Sequence, residues 1–573
     1  MVPASSKLPR PTAIAGNRRQ ALLGVVVIAA AIAAAYFPAL RAGFVWDDDT
    51  FLTANPLIKA PDGLHRLWLS NQGIDYWPLT STTLWLEWRA WGLNPLGYHA
   101  TNLALHLSCT LSLWWVLWRL RVPGSFLAAL IFAVHPVNVE SVAWITQRKN
   151  LVAMFFALLS ILAFLQGDRD RAEPGTPLRR PGLWYACSLA AFALAMLGKT
   201  SVALLPIVLL GCLAWKRRLV LRDFLRLAPF VAVSAALTVV TLEFQRRAMD
   251  GAARHAGAIE RILGAAAALW FYLLKALAPV HLSFIYPRWI VRPGDPRWWV
   301  PLLGAVALTL ALWRRRRHGS RALLFAWGFF CVALLPALGL TDFGFMKYSL
   351  VGNHYEHLAI IGVIAPAAAG WEIWRRRAAV ASGAAWPLAA AAAVVLTFGA
   401  LTWRQCETYR DAETLYRATL RANPAAWMAH NNLGILLAEK GRTAEAMGHF
   451  EAAVQLNPDW PEAHSNLGMV LQQAGRKEEA MDQYREALRL QPDFRRARIA
   501  LAALLAAAGR FPEATVHDQL AFVPADTAAA HCELGEALVD EGRISEALVE
   551  YRAALRLDPS CQPALDRIRQ LTR

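Results

Sequence analysis

The stretch "NNLGILLAEKGRTAEAMGHFEAAVQLNP" (431–458) decides the fold of the C-terminal part because its pattern returns at a fixed distance. Gly434 returns as Gly468 and Pro458 returns as Pro492, each 34 residues later. The small residues in each period let two helices pack closely, and the proline ends the second helix. The period therefore predicts a stack of helical hairpins.

A 34-residue period of Leu-Gly, Ala, an aromatic residue and Pro is the tetratricopeptide pattern. Two full repeats, a degenerate repeat around Leu501 and a fourth repeat are present. The residues that define the two full repeats and the fourth repeat are Leu433, Gly434, Ala446, Phe450, Ala453 and Pro458; Leu467, Gly468, Ala480, Tyr484, Ala487 and Pro492; and Leu534, Gly535, Ala547, Tyr551 and Pro559. The stretch 411–424 fits the second half of a further repeat.

Four polar residues recur at repeat spacing and are candidates to contact an acceptor or peptide: His430, Asn431, His464 and Asn466. The alternative for these positions is that they only pack the helices together. We expect residues 404–573 to form this α-solenoid.

Residues before 403 form long apolar runs joined by short arginine-rich loops, and the whole chain is 56% hydrophobic with a net charge of +17. The basic clusters are "WKRR" (215–218), "RRRR" (314–317) and "WRRR" (374–377). Cytoplasmic loops of membrane proteins collect Lys and Arg in this way. The charge therefore indicates membrane topology, and we expect no nucleic-acid partner.

Eleven apolar runs are predicted to cross the bilayer, with the run 261–280 interfacial or re-entrant. The runs are 20–40, 97–118, 123–141, 149–166, 183–198, 200–215, 226–243, 299–313, 321–340, 354–371 and 378–401. Eleven crossings put every strong arginine cluster and the tail 1–19 in the cytoplasm. The loop 41–96 and residues 404–573 then lie outside. We expect a bacterial inner-membrane protein with periplasmic repeats.

The seven cysteines are scattered and contain no C-x-x-C pair. This pattern predicts neither a disulfide framework nor a zinc site. The stretch "GKT" (198–200) lacks the glycine-rich turn of a phosphate loop, because position 193 is Ala, and we interpret it as coincidental.

Two stretches place ionisable residues at the outer membrane surface: "FVWDDDTFLTANP" (44–56) and "HPVNVESVAWITQRKN" (135–150). Ionisable groups at membrane depth are candidate functional residues. Alternatives remain: the acids could form a solvated loop or a cation site, His135-Pro136 could only end a helix, and Arg148-Lys149 could be a snorkelling pair.

These stretches, with "DYWPLT" (75–80), "GLNPLGYHATNLALH" (92–106) and "SLVGNHYEHLAIIG" (349–362), resemble the transmembrane and tetratricopeptide-repeat-containing family. Its eukaryotic members are protein O-mannosyltransferases of the GT-C class. The chain departs from that family's pattern at Trp77-Pro78, Asn150 and Asn353. The resemblance implies an all-α fold: a polytopic GT-C-type membrane domain over 20–403, then the solenoid.

The resemblance also implies transfer of a sugar, possibly mannose, from a polyprenyl-phosphate donor to an extracytoplasmic acceptor, with the repeats binding the acceptor or a partner. Asp47 or Asp48 would be the general base, because an acceptor hydroxyl must lose its proton as the bond forms. Cations would stabilise the leaving phosphate: Arg148 and Lys149 first, then His354. The supporting residues would be His99, His135, Glu140 and Tyr355. No metal site is predicted, and a divalent-metal requirement stays open.

Two other functions compete with this one. A membrane-anchored scaffold for protein–protein interaction would use the repeats alone, although eleven spans exceed what an anchor needs. A transporter should show paired internal repeats and charges near the middle of the membrane. The charges here cluster at the outer edge, and no duplication is evident.

Overall fold

The computed structural model describes residues 18–172, 180–248, 256–318, 321–342, 344–381, 385–510, 528–540 and 544–571. Across these ranges the regular structure is helical and contains no β-strand. The all-α prediction is therefore confirmed. The chain divides into two compact units, Met1–Asn423 and Pro424–Arg573.

The first unit contains seventeen α-helices in its described part. They are α1 (Arg18–Ala35), α2 (Pro56–Lys59), α3 (Gly63–Leu69), α4 (Pro78–Trp91), α5 (Pro95–Arg119), α6 (Ser125–Ala133), α7 (Val139–Ala143), α8 (Arg148–Ala172), α9 (Pro181–Gly198), α10 (Leu205–Lys216), α11 (Leu221–Ala248), α12 (Ala258–Leu277), α13 (Trp299–Arg314), α14 (Arg321–Leu334), α15 (Ile361–Ala381), α16 (Ala385–Glu407) and α17 (Ala412–Ala422).

Six described helices are long and apolar enough to cross a membrane: Arg18–Ala35, Pro95–Arg119, Ile145–Arg171, Pro181–Gly198, Leu221–Arg247 and Ala385–Glu407. A seventh crossing results if the pair Ser125–Ala133 and Pro136–Ala143, bent by 49°, counts as one span. Two shorter apolar helices are Thr200–Lys216 and Arg321–Ala337. The chain is thus a multi-pass membrane protein, and the count of eleven crossings stays a prediction.

Helix α8 is the central helix of this unit. Its apolar window is 72% buried, whereas that of α16 is only 11% buried. Many side chains of the outer helices are large, apolar and exposed, as expected for a surface in contact with lipid rather than water. A side chain near the start of α8 is therefore buried inside the bundle.

The second unit is built from paired antiparallel helices. They are α18 (Trp427–Glu439), α19 (Thr443–Leu456), α20 (Pro461–Gln473), α21 (Lys477–Leu490), α22 (Arg495–Ala507), α23 (Ala528–Asp540), α24 (Ile544–Leu557) and α25 (Gln562–Leu571). A Cβ on Gly434 would lie 2.8 Å from the ring of Phe450, and one on Gly468 would lie 2.9 Å from the ring of Tyr484. The repeat glycines are therefore needed for close helix packing. The second helix of the degenerate repeat falls outside the described residues.

The boundary between the units lies after Asn423, later than the predicted boundary at 403/404. Helix α16 continues to Glu407, and α17 follows after four residues. The ring of Tyr416 on α17 contacts that of Trp46, with centroids 6.3 Å apart. The half-repeat 411–424 therefore packs with the first unit.

Candidate functional site

Loops at one end of the first unit bring acidic and basic side chains together. Trp46 adopts a φ of +54°, which is uncommon for a residue other than glycine, and its ring packs 5.0 Å from that of Phe284. Directly after this turn, Asp47 and Asp48 make different contacts. The two carboxylates therefore have different environments.

Asp47 is partly exposed, and one of its oxygens is held by side chains of the α7–α8 junction. Its Oδ1 accepts hydrogen bonds from Trp144 Nε1 at 2.9 Å and from Thr146 Oγ1 at 2.8 Å. Its Oδ2 makes no hydrogen bond with the described part of the chain. Burial raises the pKa of Asp47, while the Lys149 ammonium and the two hydrogen bonds oppose that rise. Asp47 thus presents an oriented carboxylate with one open oxygen.

Asp48 is fully buried, and both of its oxygens accept backbone hydrogen bonds. Oδ2 accepts from the Val45 amide and Oδ1 from the Thr146 amide, each at 2.9 Å. Burial, together with the charge of Asp47, raises the pKa of Asp48 to about 7. This carboxylate ties the loop to the α7–α8 junction, so its contacts are structural.

Lys149 is a buried cation without a close acidic partner. Its side chain is almost completely buried, and its Nζ lies 3.9 Å from the centroid of the Trp77 ring. Among the described residues, no carboxylate oxygen lies within 4.0 Å of it, and Asp47 and Asp75 are its main electrostatic neighbours. Burying a charge without a partner is costly. An anionic ligand would offset that cost.

Asp75 lies in the same cluster, in the segment that leads into α4. Its Oδ1 is buried and makes no hydrogen bond with any residue that the structure describes. Burial raises its pKa to about 6, and the ammonium groups of Lys149 and Lys199 oppose this rise. Asp75 therefore adds a second carboxylate near the two lysines.

Arg148 is buried, and its guanidinium contacts other residues of the bundle. Its guanidinium forms an ion pair with Glu87 on α4. Its Nε donates to Asn102 Oδ1 at 2.9 Å, and its Nη2 donates to the carbonyl of Tyr98 at 2.9 Å. Arg148 thus joins α4, α5 and α8, and it fixes the backbone that carries Lys149.

A cavity of about 440 Å³ beside this cluster is lined by Lys199, Asn150, His354 and Tyr355, among others. Lys199 Nζ donates to Asn150 Oδ1 at 2.7 Å. Burial and the nearby Lys149 lower the pKa of Lys199 to about 7, although Asp75 opposes the shift. The amine therefore changes charge near neutral pH.

His354 and Glu140 form a buried pair at this cavity. The backbone N–H of His354 donates to Glu140 Oε2 at 3.1 Å, and His354 Nδ1 lies 3.2 Å from Glu140 Oε1. The ring of Tyr355 lies 3.9 Å from that of His354. Glu140 thus fixes the turn that precedes α15 and positions His354 and Tyr355.

His99 and His135 contact backbone carbonyls instead of this cluster. His99 Nε2 lies 3.1 Å from the carbonyl of Ala42, and His135 Nε2 lies 3.1 Å from that of Ala276. Each histidine therefore bridges distant segments of the bundle.

The candidate residues of the repeats hold neighbouring helices together. His464 contacts the Pro458 carbonyl at 2.9 Å and Gln483 Oε1 at 2.8 Å. Asn466 Nδ2 donates to Asn431 Oδ1 at 2.8 Å. His430 makes the equivalent contact with the Pro424 carbonyl at 3.1 Å. Asn431, His464 and Asn466 are buried, which corresponds to the packing alternative for these positions.

Asp75 and Lys199 are not among the site residues that the sequence motifs predicted. Asp75 stands in the quoted stretch "DYWPLT", and Lys199 separates two apolar helices. An isolated ionisable residue between apolar segments was the available signal. Within the described ranges, no group of three or more His, Cys, Asp or Glu residues could hold a metal ion.

Sequence models of the tetratricopeptide repeat match residues 407–461, 461–494, 495–517 and 528–561. Among solved structures, MamA is 20% identical and covers 27% of this chain and 91% of its own, with a TM-score of 0.20. The tetratricopeptide protein YrrB is 22% identical and covers 30% of this chain and 89% of its own, with a TM-score of 0.19.

A match to a curated relative extends into the membrane part as well. A protein O-mannosyl-transferase of Drosophila melanogaster is 25% identical over 540 residues, which cover 78% of this chain and 57% of that protein. A protein O-mannosyl-transferase of Homo sapiens is 31% identical over 182 residues, which cover 27% of this chain and 24% of that protein. The chain thus spans less than two thirds of the length of these relatives.

Fold and site define a helical multi-pass membrane protein with an acid–base cluster at one end of its bundle and a tetratricopeptide unit. These matches support the resemblance to the transmembrane and tetratricopeptide-repeat-containing family that the sequence motifs indicated.

Proposed function

We propose that this protein is a membrane glycosyltransferase of the GT-C class. It moves a sugar, mannose by analogy with the named relatives, from a polyprenyl-phosphate donor to a hydroxyl group of an extracytoplasmic protein. The observation that carries the proposal is the open Asp47 carboxylate beside the buried Lys149 ammonium. This pairing supplies the base and the countercharge that such a transfer requires.

Asp47 is the general base of the proposed reaction. The bonds from Trp144 and Thr146 fix Oδ1, so that Oδ2 is directed to an acceptor hydroxyl. Oδ2 takes the hydroxyl proton as the acceptor oxygen attacks the anomeric carbon and the bond to the phosphate oxygen breaks. One base without a second nucleophile suits a single displacement with inversion.

Lys149 and Lys199 stabilise the phosphate that leaves. Both side chains are buried near Asp47 and Asp75, and a positive charge fixed in such low-dielectric surroundings is more effective than one in water. Arg148 acts indirectly, because its bonds to Glu87 and Asn102 hold the start of α8 in place. His354 and Glu140 likewise hold the wall of the cavity.

The repeats bind the acceptor or a protein partner, because stacked helical repeats form an extended concave surface that suits binding. The candidate site faces away from the cytoplasm, since the basic clusters "RRRR" (314–317) and "WRRR" (374–377) mark the opposite side. In a bacterium this places the transfer at the periplasmic face of the inner membrane.

Transfer in liposomes tests the proposal. Purified protein is reconstituted with radiolabelled polyprenyl-phosphate mannose and a preparation of extracytoplasmic proteins, and label in protein is counted. Asp47→Asn should reduce transfer by at least a hundredfold, the lower end of the effect of a general base. The control Asp49→Asn removes an exposed carboxylate whose side-chain hydrogen bonds in the described part of the chain go to Thr50, and it should keep transfer close to the wild-type level. Normal transfer by Asp47→Asn would exclude Asp47 as the base. If the wild type transfers no label from several polyprenyl-phosphate sugars, the scaffold function is favoured.

A further inference from the structure

A second cavity lies among α5, α8, α10, α14 and α15, toward the end of the first unit opposite the candidate site. Its empty space, including the open mouth, is about 850 Å³. Its lining side chains are apolar apart from the thiol of Cys212 and the indole N–H of Trp215, which donates to the carbonyl of Leu120; they include Leu117, Leu120, Trp215, Phe325, Phe329 and Ile361. We call this cavity the apolar trough. Water has no hydrogen-bonding partner at such a wall, whereas a hydrocarbon chain fits it.

The depth of the apolar trough matches a single leaflet. Its lining runs from Ala322 to Phe329 on α14 and from Ile361 to Ala369 on α15. At 1.5 Å per residue, these segments are about 10–12 Å long. Half of a hydrocarbon core is about 15 Å thick. The trough therefore accommodates part of an acyl chain from one leaflet.

Three basic residues flank the mouth of the apolar trough. Arg121 follows the lining residue Leu120, Lys216 follows Trp215, and Arg321 precedes Ala322; all three basic side chains are exposed. The Arg321 guanidinium donates to the carbonyl of Ala214, which brings it to the end of α10 beside the trough.

These three cations have no acidic partner within 4.0 Å in the part of the chain that the structure describes. The acidic residues nearby are paired with other arginines: Glu372 with Arg375 and Arg376, and Asp168 and Asp223 with Arg217. The three cations at the mouth are therefore not held in ion pairs within the described part of the chain.

We propose that the apolar trough binds an anionic phospholipid of the leaflet at that end of the bundle. The phosphate lies among Arg121, Lys216 and Arg321, and an acyl chain enters the trough. Basic pockets between membrane helices recognise anionic headgroups through the same combination of charge and apolar wall. The site is distinct from the candidate active site and does not depend on the proposed transfer.

Native mass spectrometry of the full chain in detergent tests this site with phosphatidylglycerol and phosphatidylcholine of identical acyl chains. We expect the wild type to bind phosphatidylglycerol at least tenfold more tightly. Each surface cation is worth about fivefold in affinity, so the variant Arg121→Gln/Lys216→Gln/Arg321→Gln should lose on the order of a hundredfold. Because these side chains are exposed, this variant should melt at the wild-type temperature without lipid.

Two matched tryptophan variants on α15 test whether an acyl chain occupies the apolar trough. Ala365→Trp fills the apolar trough and should lower affinity at least tenfold, whereas Ala367→Trp lies on the exposed face of the same helix and should leave it unchanged. Equal binding of the two phospholipids, wild-type affinity of the triple variant, or equal effects of the two tryptophans would each overturn the proposal. Displacement of phosphatidylglycerol by equimolar polyprenyl phosphate would assign the trough to the donor lipid instead.

Discussion

The variant Arg148→Met tests whether Arg148 has a structural role or binds the donor phosphate. Methionine keeps much of the side-chain length but removes the guanidinium that pairs with Glu87 and donates to Asn102 and the Tyr98 carbonyl. If Arg148 contacts only these groups, the variant should be unstable, and the loss should be visible in the absence of any donor.

The magnitude follows from burial. Arg148 is fully buried, and the side chain of Glu87 is only 12% exposed. Removing one partner of a buried ion pair costs about 3–5 kcal/mol, because the other charge stays behind unpaired. The double variant Arg148→Met/Glu87→Leu removes both charges, and it should recover about 1–3 kcal/mol of that loss.

Unfolding in mixed micelles with increasing SDS measures these free energies. The control Arg66→Met removes a partly exposed arginine that donates to Gln72 Oε1 and is 3.6 Å from Asp62, and a surface ion pair of this kind contributes only about 0–1 kcal/mol. Wild-type stability of Arg148→Met, with only an increase in the KM for the donor, would refute the structural role.

Three further predictions concern pH and the repeats. The pKa of Asp48 is about 7 in the folded protein against an ordinary value of 3.8, so the folded state binds the proton more tightly. The free energy of unfolding should therefore fall as pH rises from about 4 to about 7, and unfolding titrations of Asp48→Asn should show a smaller slope. Burial also raises the pKa of Asp47, so the acid limb of kcat/KM should lie above the ordinary aspartate value of 3.8; a limb below that value contradicts Asp47 as the base. In the repeats, Gly468→Ala places a Cβ 2.9 Å from Tyr484 and should destabilise the unit by about 1–3 kcal/mol, measured by hydrogen exchange. Gly448→Ala has open space and should be neutral or stabilising, so equal effects of the two would contradict the packing.

The repeats could be predicted from sequence because their determinants are local. Gly434 and Phe450 stand sixteen positions apart in one hairpin, and the contact between them follows from the pattern itself. The long apolar helices could also be predicted, since length and composition define a membrane span.

The site was predictable only in outline. The choice between Asp47 and Asp48 depends on the turn at Trp46, which a pattern of three acids does not encode. The role of Arg148 depends on Glu87, a distant residue in the chain. In the sequence, Lys199 stands out only as part of "GKT" (198–200), which is an incomplete phosphate-loop motif. Charge and position indicate which residues matter at a membrane surface, whereas their partners follow from tertiary packing.

The proposed glycosyltransferase activity is tested most directly by the sugar attached to extracytoplasmic proteins. Cells that lack the gene are complemented with the wild type, Asp47→Asn or Asp49→Asn, and intact glycopeptides are quantified by mass spectrometry. We expect hexose-modified serine or threonine peptides with the wild type and Asp49→Asn, and their loss with Asp47→Asn at equal membrane abundance. The same modified peptides with Asp47→Asn as with the wild type would exclude Asp47 as the general base.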